Sequence, residues 1–142
     1  MRPLYESSHN IVSESKVLIL IEKAWRCRGV KLPLKAQLDY LLLRHDRGVA
    51  WAEIKVRTNP RGRYPTYMIS LSKVMAAREL AGASNLPSVL IVQWTDSLGY
   101  IRMDTLENFH IAIGGRTDRN DTQDIEPVVL IPIDDFRGLN ET

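Results

Sequence analysis

At 142 residues with 44% hydrophobic side chains, the chain is long enough for one globular domain with its own core and too short for a second catalytic domain. Cys27, the only cysteine, excludes a disulfide framework and a cysteine-based metal cluster, and suits a reducing cytoplasm. The net charge of +2 conceals a division: residues 1–80 hold 15 Lys and Arg against 7 Asp and Glu, a balance of +8, whereas residues 81–142 hold 4 against 10, a balance of −6. The first part is suited to a polyanion and the last is not.

The opening MRPLYESSHN lacks the apolar run of a signal peptide, and no apolar segment approaches the ~18 residues of a membrane span, so a cytoplasmic protein without membrane contact is expected. Ser13 then reads as the N-cap of a first helix. Val17, Leu20, Ile21 and Ala24 form its i, i+3, i+4, i+7 stripe, and Gly29 ends it. Residues 36–44 and 49–57 read as two strands around the polar turn HDRG. TNPRGRYPT follows as an arginine-rich loop, and SLSKVMAARELAGAS as a second helix, with Ser70 as its cap and Gly82 near its end.

PSVLIVQWT is continuously apolar, the pattern of a strand covered on both faces, and GYIRMDTL pairs with it across DSLG. Residues 114–126 are polar and aperiodic and read as a mobile loop, while PVVLIPIDDF supplies a late strand that Pro132 should keep at a sheet edge. The predicted order is helix, strand, strand, helix, strand, strand, loop, strand. It describes a mixed α+β (α/β) fold in which a central mixed sheet is flanked by helices.

The stretch LDYLLLRHDRGVAWAEIKVR, residues 38–57, carries charges where packing calls for apolar side chains. Side chains alternate across a strand, so Glu53 and Lys55 share a face with Trp51, and Ile54 and Val56 take the other. Burying even a neutral polar group without a partner costs ~2–7 kcal/mol. Asp39, on the neighbouring strand, is the group placed to converge with Glu53. Two facing carboxylates repel, and one takes up a proton unless a cation lies between them. A divalent ion meets that need: one or two carboxylates, with positions left for water and phosphate oxygens, is how Mg²⁺ is usually held. Lys55, on the same face, is then placed to orient a water or to stabilise charge on a scissile phosphate.

An acid ending one strand and Glu53-Ile54-Lys55 on the next resembles the PD-(D/E)XK nuclease motif, with Leu38 where that superfamily often has Pro. The order of helix, strand pair, helix and strand is similar to its restriction-endonuclease-like core. Within the superfamily the chain most resembles the small virus-type replication-repair nucleases and similar phage nucleases, over roughly residues 13–95. There an early helix carries a further Glu, and Ser-x-x-Gln opens the helix after the E-x-K strand. Here Glu14 lies in the first helix, with Glu6 and Glu22 as competitors, and Lys73 stands where the Gln would be.

The resemblance implies a Mg²⁺-dependent DNA endonuclease, with Mn²⁺ as a substitute metal. Asp39, Glu53 and the Ile54 carbonyl would be metal ligands, Glu14 a further one, and Lys55 the catalytic lysine. Arg57, Arg61 and Arg63, together with Lys73, would contact nucleic-acid phosphates. Tyr64 and Tyr67 interleave with these arginines and are either stacking platforms or core. A domain of this size would need a second copy to cut both strands symmetrically.

The rival expectations are a non-catalytic nucleic-acid-binding or assembly module that keeps the fold, and a purely structural ion-paired hairpin. His9, His45 and His110 are too scattered for a metal site. IAIGGRTD lacks the Lys-Ser/Thr of a phosphate-binding loop.

Overall fold

The computed structural model describes residues 8–33, 35–114 and 126–139. Helix α1 spans Ser8–Trp25 and strand β1 Arg28–Lys31; β2 is Tyr40–Arg44, β3 Arg47–Val56 and β4 Thr66–Ser70. Helix α2 covers Leu71–Ser84, followed by β5 Ser88–Gln93, β6 Leu98–Arg102, β7 His110–Gly114, β8 Glu126–Pro132 and β9 Arg137–Gly138.

Two sheets result. The larger runs β1-β2-β3-β5-β6-β9, and the smaller runs β4-β8-β7. In the larger sheet only the β3–β5 pairing is parallel, so the sheet is mixed, as expected from the pattern of elements. β5 shows why it reads as continuously apolar: Val89 and Ile91 pack with Val17 and Ile21 of α1, while Leu90 and Val92 pack with Val74 and Ala77 of α2. α1 therefore covers one face, and α2 with the small sheet covers the other. An aromatic cluster of Tyr67, Trp94 and Phe136, each pair edge-on at 5.2–6.3 Å between ring centres, fills the space between the sheets.

Local signals explain the boundaries, and several differ from expectation. α1 begins at Ser8, so Ser13 lies inside the helix instead of capping it. The helix ends at Trp25 with Arg26 in the left-handed region (φ 52°), and the Cys27 N–H bonds back to the Glu22 carbonyl at 3.1 Å. Gly29 is not the helix terminator. It lies in β1, where a Cβ would stand 2.5 Å from Leu18 Cδ1, so its missing side chain lets the strand pass close to α1.

His45 and Asp46, with φ of 53° and 60°, form the two-residue turn between Arg44 and Arg47, a type I′ geometry that matches the strand twist. Ser70 does cap α2, its hydroxyl accepting from the Lys73 N–H at 3.3 Å, but the C-cap is Asn85 (φ 60°) and not Gly82.

Between the expected loop at residues 58–66 and α2 lies a strand the sequence pattern did not suggest, β4, which pairs with β8. β8 is accordingly the centre of the small sheet, where an edge position was expected. Its prolines stand near the ends, Pro127 and Pro132, leaving Val128–Ile131 free to bond on both sides. The loop expected over residues 114–126 lies, apart from its end residues, outside the described residues. No described helix is long and apolar enough to cross a membrane.

Leu90 is fully buried on the central parallel strand. Leu90→Ala should cost about 2–5 kcal/mol of stability, read as a lower urea midpoint at unchanged slope; a loss under 1 kcal/mol would mean that this core collapses around the gap.

Candidate active site

The site forms where β2 and β3 open towards α2. Tyr40 pairs with Ala52 across the ladder, and continuing that register by one residue sets Asp39 opposite Glu53. Asp39 stands just before β2, in a bend, where its own N–H donates to the Ala52 carbonyl at 3.1 Å. Its Oδ2 accepts from the Ile54 N–H at 3.2 Å, so the strand that carries Glu53 also orients the Asp39 carboxylate.

Glu53 is 1% exposed. Alternation along β3 sends Ala50, Ala52 and Ile54 into the α1 core, and turns Trp51, Glu53 and Lys55 to the side of α2. Lys73, in the first turn of α2, places its Nζ 3.1 Å from Glu53 Oε1 and also donates to the Gln37 carbonyl. Glu53 Oε2 is buried with no hydrogen-bond partner among the described residues, a condition that costs about 1–3 kcal/mol for a buried acceptor.

Burial first, then the Asp39 charge, push the Glu53 carboxyl up to about 7 against the opposing pull of the Lys55 and Lys73 charges. The same balance places Asp39, Lys55 and Lys73 around Glu53. Tyr67 lies close by: its hydroxyl accepts from Arg57 at 2.6 Å, and burial first, then the Glu53 charge, raise its own pKa against the pull of Arg57.

These groups suit a divalent ion. One Glu53 oxygen has no partner among the described residues, the Asp39 charge acts on the same carboxyl, both side chains are hard oxygen donors, and two such ligands are the usual protein share of a Mg²⁺ site. Glu14 is arranged differently. It is buried in the first half of α1, and Lys31 stands between it and Asp39, with Nζ 4.0 Å from Glu14 Oε2 and 3.9 Å from Asp39 Oδ1. Among the described residues no three His, Cys, Asp or Glu side chains group closely enough to ligate one ion together.

The three loop arginines separate in role. Arg57 lies over the Tyr67 ring, and Arg63 near the Tyr64 ring; both are exposed. Arg61 donates to the Ile133 and Phe136 carbonyls at 3.1 and 2.7 Å and lies over Trp94, which commits its guanidinium to holding the C-terminal segment. Lys31 was not singled out from sequence, because the four residues RGVK give no periodicity from which to read a strand.

A mixed sheet between helices, with an acid pair and E-x-K on adjacent central strands, is the restriction-endonuclease-like arrangement of nucleases. The chain belongs to the family described as "Phage putative PDDEXK endonuclease", whose pattern matches residues 1–139. In solved structures, 86% of the chain is similar to 83% of Hjc, a Holliday junction resolvase from Archaeoglobus fulgidus, with a TM-score of 0.58 at 11% identity. A nuclease from a fusselovirus is similar over 98% of this chain and 91% of its own, with a TM-score of 0.49 at 16% identity. The likeness to the resolvase is one of fold. No curated protein matches the sequence.

The buried carboxyl has a measurable consequence. An unfolded Glu ionises near 4.5 and folded Glu53 near 7, so the folded state binds more protons between these values and loses stability as pH rises through them. In metal-free protein Glu53→Gln should therefore be more stable than wild type at pH 8, by at most about 3 kcal/mol. That gap should close below about pH 5; urea unfolding in EDTA at both pH values tests this, and an equal gap at both would contradict it.

Proposed function

We propose that the protein is a Mg²⁺-dependent endonuclease that hydrolyses phosphodiester bonds in DNA, with Mn²⁺ able to replace Mg²⁺. The observation that carries the reading is the buried Glu53, its Oε2 without a partner and its charge opposed by Asp39, beside the two lysines. Asp39 and Glu53 would hold the metal, and the Ile54 carbonyl is the third ligand implied by the family pattern. Glu14 would act from beyond Lys31, through a water. When bound, the metal supplies polarisation and charge neutralisation at the scissile phosphate.

The remaining work falls to the chain. Lys55 shares a face with Glu53 and has no ion-pair partner among the described residues, so its ammonium is available to a phosphate oxygen or to the attacking water. Lys73 keeps one Glu53 oxygen paired and thereby fixes the direction of the other. That is a positioning role, in place of the phosphate contact expected from sequence. Arg57 and Arg63 would contact the nucleic-acid backbone next to the site, where Arg forks suit phosphate oxygens.

The test is cleavage of single-stranded, duplex and branched DNA, including a four-way junction, with Mg²⁺, with Mn²⁺ and in EDTA. Asp39→Ala, Glu53→Ala and Lys55→Ala should each lower the rate by about 10²-fold or more, and EDTA should abolish it. Cleavage that survives all three substitutions would sink the assignment. Tight, salt-dependent binding with no cleavage under any metal would favour the binding-module reading instead.

A further inference from the structure

The end of the large sheet away from Asp39 and Glu53 carries a second cationic surface. Where α1 gives way to β1 the chain reverses through Arg26, and an open cleft of about 890 Å³ lies beside this reversal, with Trp25, Arg26, Arg28, Leu43, Arg44 and His45 on its walls. Arg44 is held in place, its Nε donating to the Arg26 carbonyl at 3.2 Å and its Nη2 to the Trp25 carbonyl. Trp25 is fixed as well, edge-on against Tyr100 at 5.1 Å. Arg26 and Arg28 are exposed, and so is Arg47, which pairs with Arg44 across the turn.

The acids nearby do not cancel this charge. Glu22, itself on the cleft wall, keeps its charge while its Oε2 accepts from the Gly29 N–H at 2.9 Å, so Glu22 and Asp46 offset only part of the charge of Arg26, Arg28, Arg44 and Arg47. Asp46 stands 3.7 Å from Arg28, but its side chain is 96% exposed, and solvent screens such a pair.

The position of the cleft relative to the candidate site is set by the strands. Edge strand β1 has Lys31 at one end, beside Asp39, and Arg28 at the other. Arg44 is four residues along β2 from Tyr40, and Arg47 six along β3 from Glu53. At about 3.4 Å per residue the cationic cluster lies roughly 14–20 Å from the carboxylates. Successive phosphates on one DNA strand advance about 3.4 Å along the helix axis, so this span corresponds to roughly four to six base pairs.

We propose that the cleft walled by Arg26, Arg28 and Arg44 binds backbone phosphates of a DNA duplex several base pairs from the position held at Glu53. The inference takes its ligand from the nuclease reading and adds a second, remote contact that makes affinity depend on duplex length. Arg44 spends its guanidinium on holding the Arg26 and Trp25 carbonyls, and so steadies the reversal that presents the exposed Arg26 and Arg28. Cations at both ends of β1, Arg28 and Lys31, then fit an extended polyanion better than a small free anion.

Binding is measured by fluorescence anisotropy with the full chain in EDTA, so that no cleavage is involved, on duplexes of about 6 and about 20 base pairs over a range of salt. Wild type should bind the longer duplex more tightly than the added sites alone explain. Arg26→Gln with Arg28→Gln should weaken the longer complex on the order of tenfold and flatten the slope of log affinity against log salt by about 1.8, close to 0.9 for each lost phosphate. Arg28→Gln alone should flatten it by about 0.9 and guards against misfolding of the double variant. Arg137→Gln, on β9 at the opposite edge of the sheet, removes an equal charge and should change neither.

Unchanged affinity and slope in both cleft variants, or losses matched by Arg137→Gln, would overturn the inference while leaving the nuclease reading intact. Displacement of the long duplex by inorganic phosphate at constant ionic strength would make the cleft a small-anion site and also overturn it. A wild-type protein that neither binds DNA in EDTA nor cuts it with metal removes both readings together.

Discussion

A carboxylate that is 1% exposed persists on a central strand only if a cation reaches it and apolar packing holds that cation in place. For Glu53 the cation is Lys73, and much of the surrounding architecture follows from bringing the two together. Lys73 lies three residues past the Ser70 cap, so the hydroxyl that starts α2 also sets the direction in which the lysine leaves the helix. Val74 and Ala77, on the same helix, pack against Leu90 and Val92 of β5 and keep that first turn pressed on the sheet. The ion pair satisfies only one Glu53 oxygen. The other has no partner among the described residues, and the Asp39 charge acts on the same carboxyl, a repulsion that a further cation would relieve.

Asp39 is treated in a different way. It is partly exposed, accepts from the Ile54 N–H, and its ammonium neighbour Lys31 is half exposed at 3.9 Å. Exposed pairs at that distance contribute about 0–1 kcal/mol, so Lys31 is easily displaced. Lys73 is less so, because it is bonded at 3.1 Å to a buried partner. The two carboxylates thus sit in unequal settings, one firmly countered on a single oxygen and one loosely countered near solvent. Glu14 shares the loose cation, which links the first half of α1 electrostatically to the strand mouth.

The sequence was most legible where a residue's neighbours along the chain decide its environment. Alternation placed Glu53 and Lys55 together, the apolar run of β5 implied cover on both faces, and Ser70 read correctly as a cap because its own backbone creates the unsatisfied N–H groups. What stayed hidden depends on partners far away. Thr66–Ser70 has no visible reason to be a strand until β8 lies beside it, and Pro132 suggested an edge because a proline at the end of a strand looks the same in sequence as one that interrupts it. Gly29 signalled a real steric demand, but the demand came from Leu18 and not from a helix end. Arg61 looked like its two arginine neighbours; only the fold shows its guanidinium turned onto carbonyls of the chain itself. Lys31 was invisible for a related reason, since a short edge strand with charged ends has no pattern to read.

The Arg61 tether has a bearing on timing. Its two acceptors lie 72 and 75 residues downstream, and the strand that pairs with β4 is also downstream, at residues 126–132. During synthesis the hairpin beside Asp39 and Glu53 emerges early and forms by local pairing, whereas β4 and the Arg61 guanidinium meet β8 and the Ile133 and Phe136 carbonyls only once residues 126–136 have been made. Parts of the site therefore exist before the frame that braces it. Until those later residues are made, the acids and lysines lack the brace that the finished fold gives them.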